Sequence, residues 1–225
     1  MNNASNDRLR RHSLRTASAL LPLAMIALAC VGAPPELTAE ELAAQTEFVL
    51  TEAPSPEHLL DIGFESRLRL VGYDVSVEEV TPGQPFDVTW YWHVERRLPG
   101  EFALFTHIAD ATDTNRCNAD RTNDINGCNT VAPLRERLAP SVWAEGTWVR
   151  DPQQVTLPAD WHSESLTFYI GVYAPEHGWT REHRLSVTTG PTDGDGRGRA
   201  LTLPIAGGAR THAALPAPGA HGHRG

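Results

Sequence analysis

The stretch "FDVTWYWHV", residues 86–94, limits the available folds more than any other part of the chain. Phe86, Val88, Trp90, Trp92 and Val94 alternate with Asp87, Thr89, Tyr91 and His93. A period of two in side-chain direction belongs to a strand with one face on a core, whereas a helix would scatter these aromatics around its circumference. "LTFYIGVY" repeats the pattern through Leu166, Phe168, Ile170 and Val172, and "FALFTHI" and "LTLPI" add two shorter strands. Turn pairs punctuate the runs at Pro82-Gly83, Pro99-Gly100, Asn126-Gly127, Glu145-Gly146 and His177-Gly178. Short strands between turns, with no long helical pattern among them, predict an all-β chain. The expected architecture is an antiparallel, immunoglobulin-like β-sandwich over residues 67–206.

The flanks differ from this domain. Residues 30–66 are rich in Pro and acidic clusters and read as a tether. One short helix is predicted within it, in "TAEELAAQTEF", where Thr38 and Glu41 have the spacing of a capping box. Residues 207–225 hold too little apolar surface to offset ordering and read as a disordered tail. His221 and His223 therefore carry no metal reading there.

At the N-terminus, a mainly polar stretch of sixteen residues with four Arg precedes an apolar run, Ala17–Ala29, that ends at Cys30 and "VGAPPE". This is the layout of an export signal over residues 1–29. A membrane span would need about 20 apolar residues, and this run is shorter and interrupted by Pro22. Ala27-Leu28-Ala29-Cys30 resembles the bacterial lipoprotein cleavage box, with Ala27 where Leu is usual. The resemblance implies that Cys30 becomes an acylated N-terminus. Several acyl chains, palmitate among them, then hold the protein at a membrane. Val31 follows, and in enteric bacteria the absence of Asp there directs a lipoprotein to the outer membrane. Arg10-Arg11 faintly resembles a twin-arginine signal, but Ser13 stands where an aromatic is usual, so the general secretory route is expected. Lipidation of Cys30 leaves Cys117 and Cys128 as an even pair, and an oxidising envelope would join them.

All nineteen basic residues are Arg, with no Lys, a bias of codon usage rather than of mechanism. Residues 1–29 contain four Arg against one Asp, so their removal takes the formal charge from −9 to −12. A chain this acidic, without a cationic cluster, is not expected to bind nucleic acid.

The segments "LVGYDV", "VTPG", "VTWYW", "FTHIAD", "WAEGTWVRD", "LP" and "IGVY" fall in a recognisable order between Leu68 and Ile205. In that order they resemble the β-sandwich domain that follows the membrane-spanning part of many bacterial glycosyltransferases of the dolichyl-phosphate-mannose type. Gly72, Trp92, His107, Asp110, Trp143, Asp151 and Tyr173 are among the matching positions. The resemblance implies a fold and not a reaction, because the catalytic carboxylate of those enzymes lies in their membrane portion. The chain departs from that pattern between Asp110 and Trp143, where an Asn/Asp-rich insertion contains both Cys117 and Cys128.

That insertion offers Asp113, Asp120 and Asp124, with neighbouring Asn side chains, as oxygen ligands for calcium. The spacing is not that of an EF-hand, and a polar loop stapled by the Cys117–Cys128 disulfide accounts for it without metal; no cofactor is expected. Closing that ring contributes up to roughly 3 kcal/mol. "TDGDGRG", residues 192–198, reads as a flexible hairpin joining the last two strands. No G-x-S-x-G elbow or H-E-x-x-H helix is present, and Asp160, His162 and Ser163 are sequence neighbours whose side chains would diverge in an extended segment. His93 and His107, on or beside strands, read as structural histidines.

Among the tryptophans, Trp90, Trp92 and Trp143 are assigned to packing. Trp148, Trp161 and Trp179 fall in or near turns, where an exposed indole offers a flat face to a sugar ring or a partner protein. The expectation is a lipid-anchored, non-enzymatic envelope protein that serves as an interaction or accessory module for a protein partner. A glycan-binding protein using Trp161 and Trp179 is the alternative, and an envelope hydrolase built on Asp160 and His162 a remote one.

Overall fold

The structure, a computed structural model, describes residues 36–119, 127–178 and 180–207. In chain order its elements are helix α1 (Ala39–Phe48) and strands β1 (Val49–Leu50), β2 (His58–Phe64), β3 (Leu68–Val75), β4 (Pro85–Val94), β5 (Ala103–Asp110), β6 (Asn115–Asn118) and β7 (Asn129–Val131). They continue with the single-turn helix α2 (Pro133–Arg137), then β8 (Trp148–Thr156), β9 (Ser165–Tyr173), β10 (Val187–Thr189) and β11 (Gly198–Pro204). Two antiparallel sheets result, one ordered β1-β8-β4-β3-β2-β10 with β7 also on β8, the other β11-β9-β5-β6. The all-β sandwich follows from the strand periodicity as expected.

Strand β4 shows why. Its apolar set, Phe86, Val88, Trp90, Trp92 and Val94, is buried, and it meets the inward face of β9, where Phe168 lies edge-on to Trp90 at 5.6 Å and to Phe86 at 6.2 Å. Trp92 packs against Phe64 and Trp143. Fully burying side chains of this size contributes about 1.5–3 kcal/mol each. Trp90, Trp92 and Trp143 are thus core residues, as assigned from sequence.

The domain starts earlier than Arg67. Helix α1 forms with the expected capping box: the Thr38 hydroxyl accepts from the Glu41 N–H, and the Glu41 carboxylate accepts from the Thr38 N–H. One turn apart on α1, Ala44 and Phe48 are both buried in the shared core. β2 follows, with Ile62 and Phe64 fully buried against the inner face. Residues 39–64 therefore belong to the folded unit instead of a tether. The boundary was misplaced because the β2–β3 turn contains neither Gly nor Pro: Glu65 and Ser66 take it at φ of 49° and 50°. This left-handed geometry is unusual for such residues; the turn is closed by the Arg67 N–H on the Phe64 carbonyl at 2.9 Å, and Phe64 pairs with Leu68 across it. Arg96 fixes it by donating to the carbonyls of both Glu65 and Ser66.

The 192–198 segment links the last two strands and folds back on itself, with an antiparallel bridge between Thr192 and Gly198. It differs from a simple hairpin in one respect: β10 pairs with β2 in the first sheet and β11 with β9 in the second, so the chain also crosses between sheets here. The disulfide joins Cys117 on β6 to Cys128 just before β7, with Cα atoms 5.9 Å apart and both residues buried. Among the described residues, no helix is long and apolar enough to cross a membrane.

Candidate functional site

Strand β8 carries the unusual chemistry of the core. Its inward positions run Val149, Asp151, Gln153, Val155, so alternation places a carboxylate and an amide between two valines. Each must find a partner, since burying an unbonded polar group costs kilocalories. Gln153 accepts from the Trp90 indole N–H (2.7 Å) and the Thr106 hydroxyl (3.4 Å), and donates to the Ala119 carbonyl (2.9 Å). It thereby ties both sheets to the segment holding Cys117.

Asp151, fully buried, meets Arg135, whose side chain is 5% exposed. Pro133 opens α2 and Leu134 anchors it in the core, which turns Arg135 toward β8. Arg135 Nη2 donates to Asp151 Oδ2 at 2.8 Å, and Nε to Oδ2 at 3.1 Å and Oδ1 at 3.3 Å. The remaining nitrogen, Nη1, is buried and has no hydrogen-bond partner among the described residues. In a planar guanidinium with Nε and Nη2 forked onto one carboxylate, Nη1 is directed away from that carboxylate.

Arg135 also lines a cavity of about 190 Å³ between α2, the turn Pro140–Val142, the start of β5 and the end of β9. Phe102, Leu104, Leu134, Leu138, Trp143 and Tyr173 form most of its remaining wall. The Trp143 indole N–H is engaged by the Leu138 carbonyl at 3.2 Å, so Trp143 presents apolar surface there. A partly open pocket with mostly apolar side chains and one buried guanidinium on its wall is suited to holding an organic group.

The candidates singled out from sequence lie elsewhere. Trp161 is 9% exposed and packs into the hydrophobic core, so its indole cannot offer the flat open face expected of it. The Trp161 N–H bonds back to Pro158 through the backbone, a tight turn that folds the ring inward instead of outward. Trp148 stacks on its cross-strand neighbour His93 at 4.2 Å. Trp179 lies outside the described residues.

Asp110, Thr112, Trp161, His162, Ser163 and Glu164 line an open trough of about 510 Å³. Ser163 Oγ accepts from the Ala111 N–H (3.0 Å) and donates to the Ser165 carbonyl (2.8 Å), a structural use of the hydroxyl. Asp160 is not among the residues lining the trough. Burial alone would raise the Asp110 carboxyl, but hydrogen bonds from Thr112 and Thr114, with Arg116 nearby, hold it below the usual carboxylate range. Asp110 is therefore a fixed anion and no proton donor at neutral pH.

Asp113 has φ of 60°, and its Oδ1 accepts from the Tyr169 hydroxyl at 2.9 Å with Arg199 Nη2 at 4.0 Å. Asp120 and Asp124 lie outside the described residues, as does Cys30. Among the described residues, no three His, Cys, Asp or Glu side chains cluster as metal ligands would. His107 meets Arg197 at 3.2 Å and the Phe105 ring.

No protein-family model matches the chain, and no curated protein matches it. Among solved structures, one described as "AvmM Catalyzes Macrocyclization in Alchivemycin A Biosynthesis" aligns over 71% of this chain and 100% of its own, at 13% identity and a TM-score of 0.29. A likeness that slight carries no argument about fold or activity.

Proposed function

We propose that this chain is a lipid-anchored, non-enzymatic accessory module of a bacterial envelope, acting by binding. The observation that carries this reading is the cavity beside Arg135: a partly open pocket walled mostly by apolar side chains, whose one charged wall residue is already neutralised by Asp151, an arrangement suited to holding a group. The resemblance to the extracytoplasmic domain of dolichyl-phosphate-mannose-type glycosyltransferases agrees with a module that accompanies a membrane process without performing chemistry.

The anchor follows from Cys30. Between Cys30 and the helix cap Thr38 lie only seven residues, a reach of at most about 29 Å of extended chain. Lipidation would therefore hold the sandwich close to the bilayer, within reach of membrane-embedded partners and of small amphiphilic molecules.

The test is detergent-phase partition of the full chain expressed in bacteria. The wild type is expected in the detergent phase and Cys30→Ala in the aqueous phase. Equal partition of the two would overturn the anchor.

A further inference from the structure

The edge of β11 that faces away from β9 is paired by the chain at both ends and bare between them. At one end the Arg199 N–H donates to the Pro191 carbonyl (3.0 Å), and at the other the Val80 N–H donates to the Pro204 carbonyl (2.9 Å). Inward and outward bonding alternate along an antiparallel strand. The Ile205 N–H donates inward to Glu164, so Leu203 also turns its main chain toward β9 and Thr202 turns its own away. Among the described residues, no main-chain partner meets the Thr202 N–H or carbonyl. This bare edge opens on a groove of about 440 Å³ between β11 and the β2–β3 hairpin. We infer that the edge is a docking site for an extended cationic segment of a protein partner, which adds as a short strand to β11.

Three observations define that partner. The chain's own pairing at Arg199 and Pro204 brackets a stretch of roughly 17 Å, the length of an extended segment of about four or five residues. A residue opposite Thr202 would exchange both N–H···O bonds with it, and the neighbours of that residue would face the same side as Leu201 and Leu203. That side is apolar: Leu201, Leu203, Val75 and Tyr73 line it, with His58 stacked on Tyr73 at 4.7 Å. Finally, the exposed carboxylates of Glu57 and Glu78 stand on the groove wall, and no Arg is among the described residues that line it. Lys or Arg flanking the apolar positions is favoured there, and Asp or Glu is repelled. Sheet edges are commonly guarded by Pro or a bulge. In β11 the bulge lies between Arg199 and Leu201 and the Pro is residue 204, so both guards stand at the ends and leave Thr202 open.

The inference rests on the reading of the domain as a binding module, and uses neither the Arg135 cavity nor the anchor. The test uses ¹⁵N-labelled full chain carrying Cys30→Ala and three peptides with blocked ends. They are Arg-Val-Thr-Val-Arg, the same peptide with Glu in place of both Arg, and the Arg peptide N-methylated at its central residue. Binding is followed by NMR at the Thr202 amide, with the Trp143 indole N–H reporting on the Arg135 cavity. The Arg peptide is expected to shift the Thr202 amide saturably and to slow its exchange with solvent. Loss of one hydrogen bond should make the N-methylated peptide bind about fivefold more weakly, and charge reversal should weaken binding at least about tenfold at low salt. Thr202→Pro deletes the outward N–H without touching the ladder to β9, a change that edge strands tolerate. It should abolish the response, read in that variant at the Leu201 and Leu203 amides. Glu57→Gln/Glu78→Gln, at two exposed positions, should keep the melting temperature and remove most of the preference for Arg over Glu.

Equal binding of the N-methylated peptide would mean that the groove holds side chains without strand addition, and would overturn the inference. So would equal binding of the Glu peptide. A Thr202 shift that grows with protein concentration in the absence of peptide would assign the edge to a second copy of the chain, which also overturns it. Silence of Thr202 to all three peptides does the same; if Trp143 responds in that case, binding resides in the Arg135 cavity and the module reading survives. Failure of the anchor appears separately, in the partition of the wild type against Cys30→Ala.

Discussion

Replacing Arg135 by Met at neutral pH should be among the most damaging single changes in the domain. Met preserves most of the side-chain volume and removes the three Nε and Nη2 contacts with Asp151, the closest at 2.8 Å. The carboxylate that remains is fully buried, and removing one partner of a buried pair costs about 3–5 kcal/mol. Domains hold about 5–15 kcal/mol in total, so about a fifth or more of the stability is at stake. The midpoint of thermal unfolding should fall by roughly 6–20 °C for a chain of this size. Asp151→Leu should cost a similar amount by stranding the guanidinium. The double variant Arg135→Met/Asp151→Leu should lose much less than the sum, because two apolar residues of similar volume replace the pair. Arg137→Met is the control: Arg137 pairs with Glu47 at 2.6 Å, but both are partly exposed, and such pairs contribute at most about 1 kcal/mol. Urea unfolding of the four variants with a common slope measures these differences. An Arg135→Met loss no larger than that of Arg137→Met, or additive losses in the double variant, would refute the assignment of Arg135 and Asp151 as a coupled buried pair.

Trp161→Ala should lower stability by about 3–5 kcal/mol in urea, as for a core indole; a loss below about 1 kcal/mol would return that ring to the surface. Tyr91 should resist ionisation, since burial and then its 2.7 Å hydrogen bond to Asp74 push its hydroxyl up to about 12. The unfolded chain releases that proton from about pH 10, so the contribution of Tyr91 to stability is intact below pH 10 and declines as pH climbs toward 12. Absorbance titration at 295 nm should show a late-ionising phenol that disappears in Tyr91→Phe, and an ordinary midpoint in the wild type would contradict this. EDTA should leave the melting temperature unchanged, because Asp113 is already engaged by Tyr169 and Arg199; a drop restored by calcium would make the 110–128 segment a metal site.

Local signals in the sequence were sufficient wherever one element explained itself. The alternation in β4 and β9 and the Thr38–Glu41 capping box depend on neighbours within one strand or one turn, while the Cys117–Cys128 pair followed from the count of cysteines. β2 was not legible, for two physical reasons. Its pairing with β3 shifts register between Leu59 and Ile62, which breaks the period of two, and Leu59 is left 79% exposed at an apolar position. Its turn is made by Glu65 and Ser66 in a conformation that Gly or Asn would ordinarily signal, made tenable by Arg96, thirty residues away. Trp161 was misjudged by the same kind of distance effect: proximity to a turn exposes a residue only if nothing covers it, and here the core does.

The cavity shows where such reading ends. Asp151 stood out in the sequence only as a position shared with the resembled domain; the structure turns it inward between Val149 and Gln153, where a carboxylate demands a cation. Sequence could not say which of nineteen Arg supplies it. The choice is made by α2, a single turn in which Arg135 and Arg137 stand two residues apart and so face different directions. Leu134 buries the helix on one side, Arg135 is carried inward onto Asp151, and Arg137 is carried outward onto Glu47. Sliding that turn by one residue would exchange a buried, half-satisfied guanidinium for a solvated one and close the chemistry of the cavity. The binding reading therefore depends less on any residue type than on the register of one helical turn against β8.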